Sequence, residues 1–227
     1  MSAPRDETLV SIPAGEVALE GVLERPAQTT GVVVFSHGSG SGRHSPRNRF
    51  VAAQLRRAGL ATLLLDLLTP EEDQDYANRF DIDLLSQRLG YAVQFVRTHP
   101  TTCELPVGLF GASTGAASAL RVAAALSDGV RAVVSRGGRP DLAGEATLAR
   151  VTAPTLLIVG GLDFGVIELN EAARDRLVYC KRELAIVPGA THLFEEPGAL
   201  EEVARLATAW FVRHLTPVSI PFDHAHR

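Results

Sequence analysis

A serine between two glycines is the first feature of this sequence that could do chemistry. The segment Gly111-Ala112-Ser113-Thr114-Gly115 follows an apolar run and precedes a helical pattern. A sharp strand-to-helix turn leaves no room for β-carbons two residues before and after its centre, which explains the two glycines. Such a turn lifts the central hydroxyl clear of the sheet, at a helix N-terminus whose dipole favours developing negative charge. The segment therefore predicts a serine nucleophile.

The same turn could be purely structural, with glycines that allow helix packing and a serine that caps the helix. Catalysis is favoured because Asp163 and His192 follow later strand-like runs, TLLIVGGL and LAIVPGAT. An imidazole can take the proton of a serine hydroxyl during attack, and a carboxylate can hold that imidazole in the right tautomer. A nucleophile, a base and an acid at one sheet edge coincide by chance far less often than the turn alone.

The elements that must position these side chains are strands rich in Val, Leu and Ile, typical of a parallel sheet covered on both faces. Six such runs are GVVVFSHG, LATLLLD, LPVGLFG, VRAVVS, APTLLIVGG and RELAIVPG. Before them, ETLVSIP and EVALEGVLERP alternate in polarity and predict a short antiparallel pair at the sheet edge. Helical spacing marks residues 47–58, 81–98, 114–126, 167–179 and 197–215. Ligands of such sheets bind beyond the carboxyl ends of the strands.

The chain shows no internal repeat, linker or change of composition, so we expect one domain over residues 1–227. Two segments without regular spacing, 69–79 and 136–146, are predicted to be loops. The second is too short for a cap domain over the strand ends. An open site is therefore expected.

The turn and the order Ser-Asp-His resemble the α/β-hydrolase family, whose nucleophile turn has the pattern G-x-S-x-G. The short length, LEGVLERP near the start and PGATHLFEEPG near the end are similar to its dienelactone-hydrolase-like branch, over about residues 8–215. The resemblance implies an α/β fold of three layers, with a mostly parallel eight-stranded sheet and a minimal cap or none. It also implies catalytic Ser113, Asp163 and His192.

The resemblance also implies an oxyanion hole and general ester chemistry. Backbone N–H groups of Thr114 and of Ser39, in the loop FSHGSGSG, are expected to donate to the oxyanion. The branch's namesake uses a cysteine nucleophile, whereas this chain has Ser113. We therefore expect hydrolysis of small carboxylic esters through an acyl-enzyme, rather than of dienelactone. Thioester cleavage, acyl transfer, and a ligand sensor with little turnover stay open as alternatives.

Other polar residues leave alternatives for the site. Asp66, after LATLLL, could replace Asp163 as the acid, and His37 could serve as the base, although the matching histidine of the family is structural. We assign His37 and Arg136 to substrate binding, since a guanidinium beside the pocket could orient a carboxylate or phosphate. Surface solvation or ion pairing is the alternative for the arginines of these loops, Arg43, Arg47, Arg49, Arg136 and Arg139.

Composition excludes several classes of protein. The formal net charge is −4 without a long basic run, so we expect no nucleic-acid partner. No apolar stretch is long enough to cross a bilayer, and the N-terminus lacks a signal-peptide pattern, so we expect no membrane contact and a cytoplasmic location. Cys103 and Cys180 are expected to be structural thiols. We expect no cofactor. We also expect no metal, because His224 and His226 lack a third ligand nearby. The protein is expected to be a monomer or a homodimer.

Overall fold

The computed structural model describes residues 6–216, in which eight strands form one sheet in the order β1-β2-β4-β3-β5-β6-β7-β8. β3 to β8 are parallel, and the β1–β2 hairpin joins β4 antiparallel. This confirms the predicted sheet, although the hairpin strands are not short: each has nine residues. The strands are Asp6–Ala14 (β1), Val17–Arg25 (β2), Gly31–Ser36 (β3), Leu60–Leu65 (β4), Val107–Ala112 (β5), Ala132–Arg136 (β6), Thr155–Gly160 (β7) and Arg182–Val187 (β8).

Helices cover both faces of the sheet, as the unbroken apolar strands require. They are Pro46–Arg57 (α1), Ile82–Thr98 (α2), Thr114–Ala125 (α3), Glu145–Leu148 (α4), Phe164–Arg176 (α5) and Ala199–Leu215 (α6). α2 and α3 bury their apolar side chains in the core on one face, where α5 contributes Ala173, whereas α1 and α6 pack on the other face. Every residue of β3, β4, β5, β6 and β7 is buried, so the central sheet is a rigid support for the loops at its ends.

One predicted helix is displaced: α5 begins at Phe164, three residues before the expected start at residue 167. The carbonyl of Asp163 accepts hydrogen bonds from the N–H groups of Val166 and Ile167, so the helix starts directly after this aspartate. Only Asn170 and Ala173 of this helix are buried. Hydrophobic spacing therefore carries little information about where α5 begins.

The two predicted loops contain short turns of helix. Residues 69–79 include 3₁₀ turns at Glu72–Gln74 and Tyr76–Phe80, and residues 136–146 include one at Pro140–Ala143. Arg136 itself is the last residue of β6 rather than a loop residue, and its side chain is buried. Between β6 and β7 the chain forms only this 3₁₀ turn and the four-residue helix α4. Within residues 6–216, the strand ends therefore have no cap domain above them.

Two further observations concern membrane-spanning helices and the two cysteines. Across residues 6–216, no helix has both the length and the apolar character that a membrane span requires. Cys103 and Cys180 are both free thiols, and burial raises the pKa of Cys180.

Candidate active site

The turn after β5 holds Ser113 in a conformation that non-glycine residues rarely adopt, with φ 51° and ψ −120°. The flanking glycines allow this turn because β3 and α3 approach it closely. A β-carbon on Gly115 would lie 2.2 Å from the Ser36 carbonyl oxygen, and one on Gly111 would lie 2.5 Å from Cα of Ala116. Neither position has room for a side chain. The glycines predicted from the motif are therefore required by backbone contacts.

Backbone hydrogen bonds hold the strained turn in place. The Ser113 amide donates to the Arg136 carbonyl at 3.2 Å, which ties the turn to the neighbouring strand β6. The Ser113 carbonyl accepts from the amides of Arg139 at 3.0 Å and Ala116 at 3.1 Å. Strain of this kind persists only where the surroundings over-determine it, and such positions cluster at functional sites.

Asp163 stands after β7, at the N-cap of α5, yet its carboxylate does not cap the helix. Instead Oδ2 accepts a hydrogen bond from Nδ1 of His192 at 2.6 Å. An N-cap aspartate ordinarily satisfies a free backbone N–H of its own helix. Here the carboxylate is directed toward the imidazole, while the backbone carbonyl alone supports the helix start.

His192 reaches this position because its loop crosses directly over the end of β7. A β-carbon on Gly160 would lie 2.4 Å from the Ala190 carbonyl oxygen, so the crossing requires a glycine. Since a carboxylate only accepts, Nδ1 carries the proton and Nε2 is left as an acceptor. Nε2 lies 3.4 Å from Oγ of Ser113. The structure thus brings Ser113, His192 and Asp163 into one hydrogen-bonded chain, in which the contact to the serine is the longer of the two.

The alternative acid, Asp66, has a different environment. Its Oδ1 accepts from the Arg43 amide at 2.7 Å, and its Oδ2 is paired with the Arg43 guanidinium. A β-carbon on Gly42 would lie 2.5 Å from Asp66 Oδ1, so the carboxylate supports the loop through close backbone contact. Asp66 therefore anchors residues 37–42, the glycine loop, to the end of β4.

His37 begins the glycine loop, and backbone groups use both of its ring nitrogens. Nε2 accepts from the Leu67 amide at 3.0 Å, which leaves Nδ1 to donate to the Gly38 carbonyl at 2.9 Å. The side chain is buried, and this burial lowers the pKa of the ring, an effect that the carboxylates of Asp66 and Asp73 only partly offset. Such a ring cannot act as the base for Ser113. Its contribution to substrate binding stays a prediction.

The predicted oxyanion donors belong to residues close to the nucleophile. Gly38 packs against Ser113, since its β-carbon would lie 3.1 Å from Cβ of the serine. Thr114 is the first residue of α3, where backbone N–H groups have no acceptor within the helix. The Ser39 amide, however, donates to the Thr114 hydroxyl at 3.0 Å. Sequence reasoning considered only the backbone of Thr114 and missed this side chain, for which the motif carries no signal.

Arg136 differs from the other arginines that the sequence placed near the strand ends. Arg43, Arg47 and Arg139 form ion pairs with carboxylates. Arg136 is only 7% exposed, and within residues 6–216 its guanidinium has neither a carboxylate nor a hydrogen-bond acceptor. Burial, and secondarily the like charge of Arg47, lower the pKa of Arg136 to about 10. Its guanidinium lies over the ring of Phe194, 5.9 Å from the ring centroid.

Phe194 is a residue that the sequence did not single out. It follows His192 closely and, with Ser113, is one of two non-glycine residues in the described chain with positive φ, here 56°. No sequence pattern marks it.

Metal binding was considered for the histidines near the C-terminus. No group of three His, Cys, Asp or Glu side chains within residues 6–216 is arranged to hold an ion, and His224 and His226 lie outside that range.

Comparison with known proteins agrees with this architecture. The model of the Dienelactone hydrolase family matches residues 19–214. The crystal structure of dienelactone hydrolase from Anabaena variabilis is 54% identical over 93% of this chain and 99% of that one, with a TM-score of 0.90. Est1E from Butyrivibrio proteoclasticus has the same fold, with a TM-score of 0.77 at 17% identity over 90% of this chain and 98% of its own.

Curated relatives are longer than this chain. "Putative phosphoribosyl transferase Rv0571c" of Mycobacterium tuberculosis is 59% identical over 211 residues, which are 93% of this chain and 47% of that protein. The chain therefore spans about half the length of the curated relatives it matches. The family match and the close structural similarity both cover most of the sequence. This chain belongs to the dienelactone hydrolase family, a branch of the α/β-hydrolases.

Proposed function

We propose that the protein hydrolyses carboxylic esters of small molecules, with Ser113 as nucleophile, His192 as general base and Asp163 as the acid that orients the base. The single observation that carries this proposal is the hydrogen-bonded chain from Asp163 through His192 to a serine held at positive φ. An uncapped set of strand ends gives an ester access to that serine. Hydrolase chemistry also agrees with the family to which the chain belongs.

In the proposed cycle, the Ser113 oxygen bonds to the ester carbonyl carbon while Nε2 of His192 takes the hydroxyl proton. The tetrahedral intermediate collapses, its bond to the alkoxy group breaks, and the imidazolium returns the proton to the departing alcohol. Water then attacks the acyl-enzyme, with the same nitrogen as base. The acid leaves and the Ser113 hydroxyl is restored. Asp163 stabilises the imidazolium throughout and keeps the proton of Nδ1 in place.

The decisive experiment compares Ser113→Ala with wild type in the hydrolysis of p-nitrophenyl acetate and butyrate. We expect kcat to fall by about 10⁴-fold or more, because the nucleophile is lost. Ser86→Ala is the matched control, since in the described part of the chain this α2 hydroxyl bonds only the Ile82 carbonyl of its own helix. Ser86→Ala should hydrolyse both esters at the wild-type rate. Unchanged hydrolysis by Ser113→Ala would overturn the proposal.

A sensor that reacts with a ligand once would use the same three residues. A fluorophosphonate probe that labels wild type, but not Ser113→Ala, reports a reactive serine in either case. If wild type also hydrolyses many ester molecules per protein molecule, the hydrolase is favoured. Labelling without such turnover favours the sensor. Thioester substrates and alcohol acceptors in the same assay distinguish thioesterase and acyl-transfer activity from simple hydrolysis.

The buried Arg136 supports a substrate that carries a carboxylate or a phosphate. A buried guanidinium without a counter-ion is unfavourable, and a substrate anion would relieve that cost through paired hydrogen bonds. We expect a higher kcat/KM for p-nitrophenyl hemisuccinate than for the neutral butyrate. Arg136→Gln should raise KM for the anionic ester by about tenfold and leave KM for the neutral ester nearly unchanged. Equal rates for the two esters in wild type would exclude this role.

The name of the curated relatives suggests phosphoribosyl transfer, but no observation in this chain favours it. More than half of each relative lies outside the match, so the named activity need not belong to the matched part. Release of pyrophosphate from phosphoribosyl pyrophosphate in the presence of nucleobases should therefore not be detectable with this chain.

A further inference from the structure

We propose that the side-chain hydroxyl of Thr114 is a direct donor to the oxyanion, and that the Ser39 amide acts through this hydroxyl rather than on the substrate. The inference rests on the proposed ester hydrolysis and specifies its oxyanion hole. It replaces the expected pair of backbone donors with the N–H and the O–H of one residue, Thr114, supported by Ser39.

The first step is the direction of the Ser39 amide. Its N–H donates to Oγ1 of Thr114 at 3.0 Å, so this N–H is not directed at open space beside the nucleophile. The glycine loop that carries it is tied at both ends, by His37 to the Leu67 amide and by Arg43 to Asp66. A loop held in this way keeps the Ser39 amide on the threonine.

The second step is the remaining capacity of the hydroxyl. A threonine hydroxyl can accept two hydrogen bonds and donate one. Thr114 Oγ1 accepts from Ser39, and within residues 6–216 its own proton has no protein acceptor. The side chain is only 5% exposed, so bulk water is not a ready partner. A buried O–H without an acceptor is free for a ligand oxygen.

The third step is position. Thr114 directly follows Ser113 and begins α3, so its N–H is already among the donors that the helix leaves free. Gly38, next to Ser39, packs against Cβ of Ser113. The hydroxyl therefore lies at the contact between α3 and the glycine loop, beside the nucleophile. Because it accepts from an amide, its O–H bond is polarised, which strengthens its donation to an anion.

The test uses Thr114→Val, which keeps the shape and the backbone N–H but removes the hydroxyl, and Thr114→Ser, which restores it. On p-nitrophenyl butyrate we expect Thr114→Val to lower kcat by about 100-fold with little change in KM, as for loss of one oxyanion donor. Thr114→Ser should retain most of the wild-type kcat. Affinity for a trifluoromethyl ketone, which forms an oxyanion on the serine, should fall with kcat.

A purely structural role of the hydroxyl predicts the opposite sign. Thr114→Val would then free the Ser39 N–H to donate directly, and kcat would stay equal or rise, which would overturn the inference. Thr102→Val is the matched control: its hydroxyl is buried and donates to the Val96 carbonyl at 2.6 Å, so it should lower stability but not kcat. Failure of the proposed function is distinct, because wild type itself would then show no turnover that depends on Ser113.

Discussion

At the scale of single residues, hydrogen-bond partners separate the two histidines near the nucleophile. His192 has a carboxylate on Nδ1 and the serine hydroxyl on Nε2, so it can take up a proton during a reaction. His37 has a backbone amide on Nε2 and a backbone carbonyl on Nδ1, so protonation would break its bond from Leu67. The same residue type is a candidate base in one place and a fixed support in the other.

This difference predicts a pH dependence of stability. Burial lowers the pKa of His37 from its ordinary value of 6.5, so the unfolded chain binds the proton more tightly than the folded chain. The free energy of unfolding should therefore fall as the pH drops below about 6.5, by at most about 1.4 kcal/mol per pH unit from this group. Above that pH both states hold a neutral ring, and His37 adds no slope.

Urea unfolding of wild type and His37→Gln at several pH values between about 5 and 8 measures this effect, because histidines titrate in that range. Glutamine can still accept from the Leu67 amide but does not titrate, so its slope on the acid side should be shallower. His44 is exposed, and His44→Gln is the matched control for loss of a histidine at the surface. An identical slope in His37→Gln and wild type would contradict the assigned environment.

At the scale of elements, the site depends on how closely α3 approaches β3. Gly115, in the first turn of α3, lies against the carbonyl oxygens of Ser36 and His37, at the point where β3 becomes the glycine loop. This contact sets the distance between the nucleophile and the loop that faces it. The helix can take that place only because its second residue has no side chain.

Gly115→Ala should therefore be strongly destabilising, by about 1–3 kcal/mol or more, because the added methyl overlaps backbone atoms that cannot rotate away. Hydrolysis should decrease along with stability, since relief of the overlap shifts α3 and therefore the position of Ser113 relative to His192. The matched control is Gly90→Ala in α2, where an added β-carbon has nothing within 4 Å. It should stabilise the protein by about 0.5–1 kcal/mol through helix propensity. Equal midpoints in urea for Gly115→Ala and wild type would contradict the close contact.

At the scale of the whole molecule, an uncapped sheet edge leaves apolar side chains exposed around the proposed triad. Leu162 and Phe164 flank Asp163 and are 51% and 69% exposed, and Leu193 follows His192 and is 40% exposed. Several exposed apolar side chains next to functional polar groups are typical of a ligand surface. We expect this apolar rim to contact the hydrocarbon part of an ester.

Phe164→Ser should lower kcat/KM for p-nitrophenyl hexanoate by about fivefold, as expected for the loss of roughly 1 kcal/mol of apolar contact, and should affect the acetate far less. Tyr179→Ser is the matched control, since this aromatic residue is 73% exposed but follows the other end of α5. That helix has 13 residues and is about 20 Å long. A similar loss of hexanoate hydrolysis in both variants would show that the rim is not specific.

Much of this protein is determined by the sequence alone. The apolar runs predicted the six parallel strands, since a parallel sheet with both faces covered needs continuous hydrophobic segments, and alternating polarity predicted the antiparallel hairpin. The glycines around Ser113 predicted its strained turn, because no other residue fits there. Such features follow from local sterics and periodicity. The start of α5 was less accurate, because its weakly buried face carries little of that signal.

Only the tertiary structure decided where side chains point and which partners they take. Asp163 and Asp66 both follow strands at the same sheet edge, yet one carboxylate meets His192 and the other holds Arg43. Arg136 was expected in a loop and instead ends β6 as a buried cation, and Thr114 meets Ser39 across 75 residues of sequence separation. These pairings arise from chain segments that crossovers bring together. The spacing of residues along the chain determines at which edge of the sheet a side chain emerges. Packing between distant segments determines the direction in which that side chain points.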